Sequence, residues 1–228
     1  MPLELLPMTS SDTLSWTRIC TLAYRGPTHN LVHSNKPITE SSIRGAAQDR
    51  KKEIGQPNKW HWKVVDTDLE PSEDDPEGNA GRTIAIAVWS LCNAQSTPAQ
   101  ETSDEEQEKE KKPFIPPEVR LDALAAIFTP LRNAQLEVMG TKTPYLMLNT
   151  LATHPEHQGR GAARLLVDWG LQKADQEGLV VYLDSSLAGR GMYEKRGFEL
   201  VREVTFDRGE WGGEGVDWWG CMVRRARG

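Results

Sequence analysis

The sequence predicts an α/β domain whose mixed sheet is covered by helices, and three observations carry that expectation. Stretches with strand-type residue choice alternate with stretches whose apolar residues recur at helical spacing. One such alternation, residues 145–183, reads as strand, glycine turn, helix and strand in succession. Its second strand, Leu179 to Leu183, is apolar along its length, as in a central strand buried on both faces. Finally, a chain of 228 residues that is 38% hydrophobic can build one substantial core, so residues 1–228 read as one domain.

The elements follow in order. Leu3 to Met8 is a short apolar strand. Thr9-Ser10-Ser11-Asp12 then offers N-cap residues ahead of Leu14, Trp16, Ile19, Leu22 and Ala23 at helical spacing. Tyr24 to Pro37 reads as loop or broken helix, and Thr39-Glu40-Ser41-Ser42 starts a second helix toward Glu53, stopped by Gly55 and Pro57. Trp60 to Val65 and Arg82 to Leu91 form an antiparallel hairpin around the acidic turn Pro71 to Gly81. Residues 93–117 hold charge blocks between prolines and almost no core formers, which predicts an exposed, mobile insertion without chemistry of its own. A helical face then runs from Leu121 to Leu131 despite Pro130. Beyond it come the strand Tyr145 to Thr153, the turn Pro155 to Gly161, the helix Ala162 to Gln176 and the strand Leu179 to Leu183. A short helix, Ala188 to Arg196, and the strands Phe198 to Phe206 and Asp217 to Arg224 around a Gly-rich turn complete the chain.

Composition narrows the function. A formal charge of −6 makes nucleic-acid phosphate a poor general partner. No window approaches the ~20 apolar residues of a membrane helix, and the N-terminus has no positive leader, so neither a membrane partner nor secretion is expected. Cys20, Cys92 and Cys221 are odd in number and lack a C-x-x-C spacing, which reads as reduced thiols in a cytoplasmic setting rather than a disulfide framework or zinc site. His29 and His33 share i, i+4 spacing, but Asn30 stands where a metalloprotease motif needs Glu, and His154 and His157 read as neutral turn histidines. No metal is expected. Trp218 and Trp219 are adjacent on a predicted strand, so one of them must face a substrate side or another surface. Nothing in the sequence sets the oligomeric state.

His157-Gln158-Gly159-Arg160-Gly161-Ala162-Ala163 carries the chemistry. It joins a strand to a helix, so its amides are the unsatisfied first-turn donors of that helix, and the helix dipole favours an anion such as a pyrophosphate there. The nucleotide P-loop is excluded because Gly-Lys-Ser/Thr is missing, and the dinucleotide fingerprint because Arg164 stands where a small residue is needed.

Gln158-Gly159-Arg160-Gly161-Ala162-Ala163 resembles the Q/R-x-x-G-x-G/A loop of the Gcn5-related N-acetyltransferase superfamily. Leu183-Asp184-Ser185-Ser186-Leu187-Ala188-Gly189 and Met192-Tyr193-Glu194-Lys195-Arg196-Gly197-Phe198 resemble its later motifs. The resemblance covers residues 145 to 205 and is nearest in style to fungal small-molecule acetyltransferase-like members. It implies a mixed, mostly antiparallel sheet flanked by helices, in which one parallel strand pair splays apart to hold acetyl-CoA. Gln158, Gly159, Arg160, Gly161, Ala162 and Ala163 would then hold the pyrophosphate, with charge added by Arg160 and Arg164. Leu151, Ala152 and Thr153 would offer backbone to the pantetheine, and Ser186 and Gly189 would lie along the same arm.

Tyr193 stands at the family's general-acid position, where the departing thiolate needs a proton. The base position of related enzymes falls on Met147, which cannot accept one. The expectation is therefore a water relay at Asn149, anchored by Asp184 or Ser185. Strand alternation puts Met147, Asn149, Leu151 and Thr153 on one face. The implied activity is acetyl transfer from acetyl-CoA to a primary amine of a small molecule. A protein or peptide acceptor and a non-catalytic acyl-CoA sensor are the alternatives.

Overall fold

A computed structural model describes residues 3–94 and 113–227. In chain order its principal elements are β1 (Leu3–Pro7), α1 (Thr13–Ala23), α2 (Pro27–Val32), α3 (Glu40–Arg50), β2 (Lys59–Asp66), β3 (Arg82–Cys92), α4 (Leu121–Met139), β4 (Tyr145–Thr153), α5 (Ala162–Glu177), β5 (Val180–Ser186), α6 (Leu187–Glu194), β6 (Glu199–Asp207) and β7 (Val216–Arg224). The strands make a seven-stranded sheet in the order β1-β2-β3-β4-β5-β7-β6. Every neighbouring pair is antiparallel except β4 and β5. This is the mixed, mostly antiparallel sheet that the resemblance implied. Much of the insertion, residues 95–112, lies outside the described residues.

Local chemistry accounts for the elements. Thr9 and Asp12 form a reciprocal cap ahead of α1, with the Thr9 amide donating to Asp12 Oδ2 at 2.7 Å. Thr39 caps α3 by accepting from the Ser42 amide. Pro130 sits inside α4 on its exposed side, so the missing N–H faces solvent while Ile127, Leu131 and Ala134 bury the opposite stripe. Near the insertion's ends, Asn93 Nδ2 donates to the carbonyls of Gly140 and Thr143, and Phe114 lies against Gly45 of α3.

The helices cover both faces. On one face α5 buries Leu166, Val167, Leu171 and Ala174 against Ile84, Leu146, Val181 and Met222. Gly170 lets it approach so closely that a Cβ there would lie 2.2 Å from the Trp89 ring. On the other face α1 packs Trp16 and Ile19 on Ile86, Val88 and Ala152, while α2 and α4 cover β6 and β7 around Phe206.

The central pair is irregular. β4 and β5 pair only from Tyr145↔Val180 to Leu148↔Leu183. On the other edge of β4, Val88 opposes Thr150 and Trp89 opposes Leu148, which leaves Asn149 as an extra residue in a β-bulge. Beyond it β4 follows β3 as far as Thr153↔Ala85, whereas β5 follows β7 as far as Ser186↔Trp219, and the two part. The bulge also corrects the alternation expected for β4. Met147 packs with Tyr145, Tyr182 and Cys221 on one face, whereas Leu151 joins Leu146 and Leu148 on the α5 face. One additional residue resets the two-residue period, so Met147 and Leu151 do not share a side.

Candidate active site

The parting of β4 and β5 opens a cleft of about 660 Å³. Leu151, Ala152 and Thr153 form one wall; Gln158, Gly159, Gly161, Ala162, Ala163 and Arg164 form the rim at the start of α5; Ser186, Gly189 and Tyr193 form the opposite wall. The first hydrogen bonds of α5 are Arg164 N to Gly161 O at 3.0 Å and Leu165 N to the same carbonyl at 3.3 Å. The amides ahead of them are the orphan donors of the helix start. Gly159 and Gly161 hold φ of +76° and +93°, and a Cβ on either would meet nothing within 4 Å. The turn therefore needs glycine for its backbone shape and leaves open space beside its donors, which fits a diphosphate.

One predicted contact differs. The Arg160 guanidinium does not line the cleft; it pairs with the fully buried Asp66 carboxylate at the end of β2 and reaches His157 Nδ1 at 3.1 Å. Burial alone would raise the Asp66 carboxyl, but Arg160 and the Asp68 amide outweigh it and hold the group below the usual range. A buried carboxylate without its partner costs more than a phosphate contact at an exposed rim gains, so the side chain turns inward. His154, Glu156 and His157 bring their ligand atoms within 4.8 Å of one another. The adjacent Arg160 guanidinium disfavours a cation there.

The proton-handling groups sit deeper. Tyr193 is buried, meets Phe198 edge to face at 5.6 Å and also lines the cleft, so it both packs and faces the ligand space. Burial pushes its phenol up and keeps it protonated, with Arg196 pulling weakly the other way. Gly189 makes room for that ring and donates its amide to the Ser186 hydroxyl at 3.2 Å; Ser186 thus caps α6. Asn149 accepts from the Ser90 hydroxyl at 2.8 Å, which leaves its NH2 to donate. Ser185 is not a cleft residue: it is buried, and its hydroxyl donates to the Ser186 carbonyl at 2.8 Å. Asp184 accepts from the Tyr182 hydroxyl at 2.7 Å. Burial raises its carboxyl above the usual range, opposed by Tyr182 and Cys221.

Behind the cleft a second cavity of about 600 Å³ lies among α2, α4 and the diverging strands. The two share Tyr24, Leu148, Asn149, Asp184 and Trp219, so they meet at the mouth of the gap. Of the adjacent tryptophans, Trp219 faces these cavities while Trp218 lies under the Arg190 guanidinium at 5.6 Å. Tyr24 is a site residue that the sequence reading missed. Its hydroxyl donates to the Leu151 carbonyl at 3.3 Å across the mouth, and no spacing signal ties the end of α1 to β4.

Residues 93–198 match the model of the acetyltransferase (GNAT) family. A curated relative, the "Probable acyltransferase SID5" of Ajellomyces capsulatus, is 40% identical over 64 residues, which is 28% of this chain and 47% of that protein, so the match spans about half of the relative's length. Among solved structures, the mosquito arylalkylamine N-acetyltransferase like 5b superposes with a TM-score of 0.58 at 14% identity, over 98% of this chain and 99% of the other. Arabidopsis thaliana NAA60 in complex with acetyl-CoA superposes with a TM-score of 0.52 at 14% identity over 100% of both chains. These likenesses extend the fold assignment to β1–β3 and β6–β7, which the family model does not reach or leaves incomplete. Sheet order and motif order agree with that match, and residues 93–198 carry the pattern of the acetyltransferase (GNAT) family.

Proposed function

We propose that the protein transfers an acetyl group from acetyl-CoA to a primary amine of a small molecule, by direct attack with both partners bound. The carrying observation is the pair of joined cavities: one is rimmed by the glycine turn and reaches Tyr193, and the other opens at the same gap between β4 and β5. Acetyl-CoA supplies an activated acetyl thioester. Gly159 to Ala163 would hold its diphosphate through main-chain amides, Arg164 would add charge at the rim, and the Leu151 to Thr153 backbone would align its arm. Tyr193 donates a proton to the departing sulfur, and Asn149 orients water at the mouth. A non-catalytic acyl-CoA sensor would have no use for a buried, protonated phenol beside a second cavity. The free state of Cys20, Cys92 and Cys221 supports a reducing, cytoplasmic setting. No helix among the described residues is long and apolar enough to cross a membrane.

The test is isothermal calorimetry with acetyl-CoA, followed by thiol release on a panel of amines. Saturable binding and amine-dependent release support the proposal. Absence of binding to folded protein at millimolar ligand would overturn it.

A further inference from the structure

The second cavity has a composition that selects its occupant. Val32 from α2, Leu124, Ile127, Phe128 and Leu131 from α4, and Trp219 from β7 give it hydrocarbon and aromatic walls. Among the described residues no lysine or arginine lines it, and Asp184 is its only carboxylate. His29 also lines it and is neutral at pH 7, pushed down to about 4 by burial, with His33 and Arg25 adding to the effect. Asp184 stands one residue past the last β4–β5 pair, Leu148↔Leu183, at the junction with the acetyl-CoA cleft. The Tyr182 hydroxyl holds it at 2.7 Å, and a carboxylate that receives one donor keeps lone pairs for others.

The lining also carries Tyr24, Thr28, His33, Asn149 and Thr150, none of them a carboxylate. A single carboxylate at the inner end of a mostly apolar room accepts one ammonium and rewards an apolar body behind it. A ligand carboxylate would find no cation there. A second ammonium would find no carboxylate partner along the α4 wall and would displace apolar contact there.

We propose that this cavity is the acceptor site and that it takes a monoamine carried on an aromatic or branched aliphatic body, with the ammonium against Asp184; the inference rests on the acetyl-transfer reading above. One ammonium proton passes to the Asp184 carboxylate. The nitrogen then forms the amide bond as the thioester C–S bond breaks, and the sulfur takes the phenolic proton of Tyr193. The second nitrogen proton restores that phenol, and Asp184 releases its proton to solvent.

The experiment uses the full chain, with acetyl-CoA binding measured first by calorimetry. 2-Phenylethylamine, 3-methylbutylamine, 1,4-diaminobutane, phenylalanine and a lysine peptide are then compared, both as acceptors by thiol release and as ligands by calorimetry. The two monoamines are expected to bind and to exceed the diamine, the amino acid and the peptide by about 10²-fold in kcat/KM. Asp184→Asn should lower monoamine kcat/KM by about 10²-fold while acetyl-CoA still binds. Phe128→Glu alters a side chain that is 58% exposed, so folding is preserved, and it should move the diamine-to-monoamine preference by about tenfold or more toward the diamine. If acetyl-CoA binds but the diamine, the amino acid or the peptide is preferred, or no amine is acetylated, the acceptor assignment falls and cofactor binding stands. If acetyl-CoA does not bind, both fall.

Discussion

At the scale of single residues, Tyr193 and Arg160 show how burial decides a role. The Tyr193 ring is enclosed, which keeps its phenol protonated, as the proposed proton donor to sulfur must be. Tyr193→Phe preserves the Phe198 contact and removes the proton, so kcat should fall by about 10²-fold with acetyl-CoA affinity nearly unchanged, as read from steady-state rates and calorimetry. An unaltered kcat would remove the phenol from the chemistry. For Arg160→Met the expectation reverses: cofactor affinity changes little, whereas stability drops by about 2 kcal/mol as Asp66 loses its partner, discounted from a fully buried pair because Arg160 is partly exposed. Urea unfolding measures it. The arginine was legible in the motif, but the destination of its guanidinium was not, because Asp66 lies 94 positions away and spacing along the loop carries no trace of it. Tyr24 and Asp184 mark the same divide: the Asp184 position follows from its motif, while Tyr24 reaches the mouth only through the packing of α1.

At the scale of elements, the glycine turn and α5 were readable because their signals are local. The turn depends on backbone angles open to glycine and on helix-start donors, both properties of adjacent residues. Gly161→Glu forces a side chain into φ of +93° and puts a carboxylate beside the rim donors. It should abolish detectable acetyl-CoA binding, and the folded variant's titration checks this. Retained affinity would show that the diphosphate lies elsewhere. β4 was legible as a strand, but its facing pattern was not. The bulge at Asn149 is created by the pairing of Val88 with Thr150 and Trp89 with Leu148, and a reading of β4 alone assumes strict alternation. α4 was recognised despite Pro130 because its apolar stripe continues past the proline. That the same stripe walls a cavity became visible only once α2 and β7 were in place.

For the whole molecule, the mixed sheet and its helical cover follow from the order of apolar patterns, whereas the joining of β7 between β5 and β6 is a long-range outcome. Buried ionisable groups then set the conditions under which the assembly holds. His61 is 6% exposed and, like His29, is pushed down to about 4 by burial, below the 6.5 of an unperturbed imidazole. As pH falls, the unfolded chain takes up these protons first. The stability contribution is therefore complete above about pH 6.5 and drains as pH drops to about 4. Asp66 and Asp175 are held below the usual carboxylate range; their contributions persist above the unfolded value near 3.8 and vanish as pH falls through their lower folded values. Thermal midpoints should accordingly decline from pH 6.5 to 4 and continue to decline below it. A flat profile between 6.5 and 4 would show that these histidines are charged in the native state.

The short β4–β5 ladder makes the sheet resemble a book whose spine is stitched along only part of its height, with β1–β4 as one cover and β5–β7 as the other. An extended amide-bearing chain laid along the unstitched length would supply rungs that the polypeptide itself lacks. Ligand and architecture would then be interchangeable there, and saturation at a hundred times Kd should raise resistance to unfolding by about 2.7 kcal/mol.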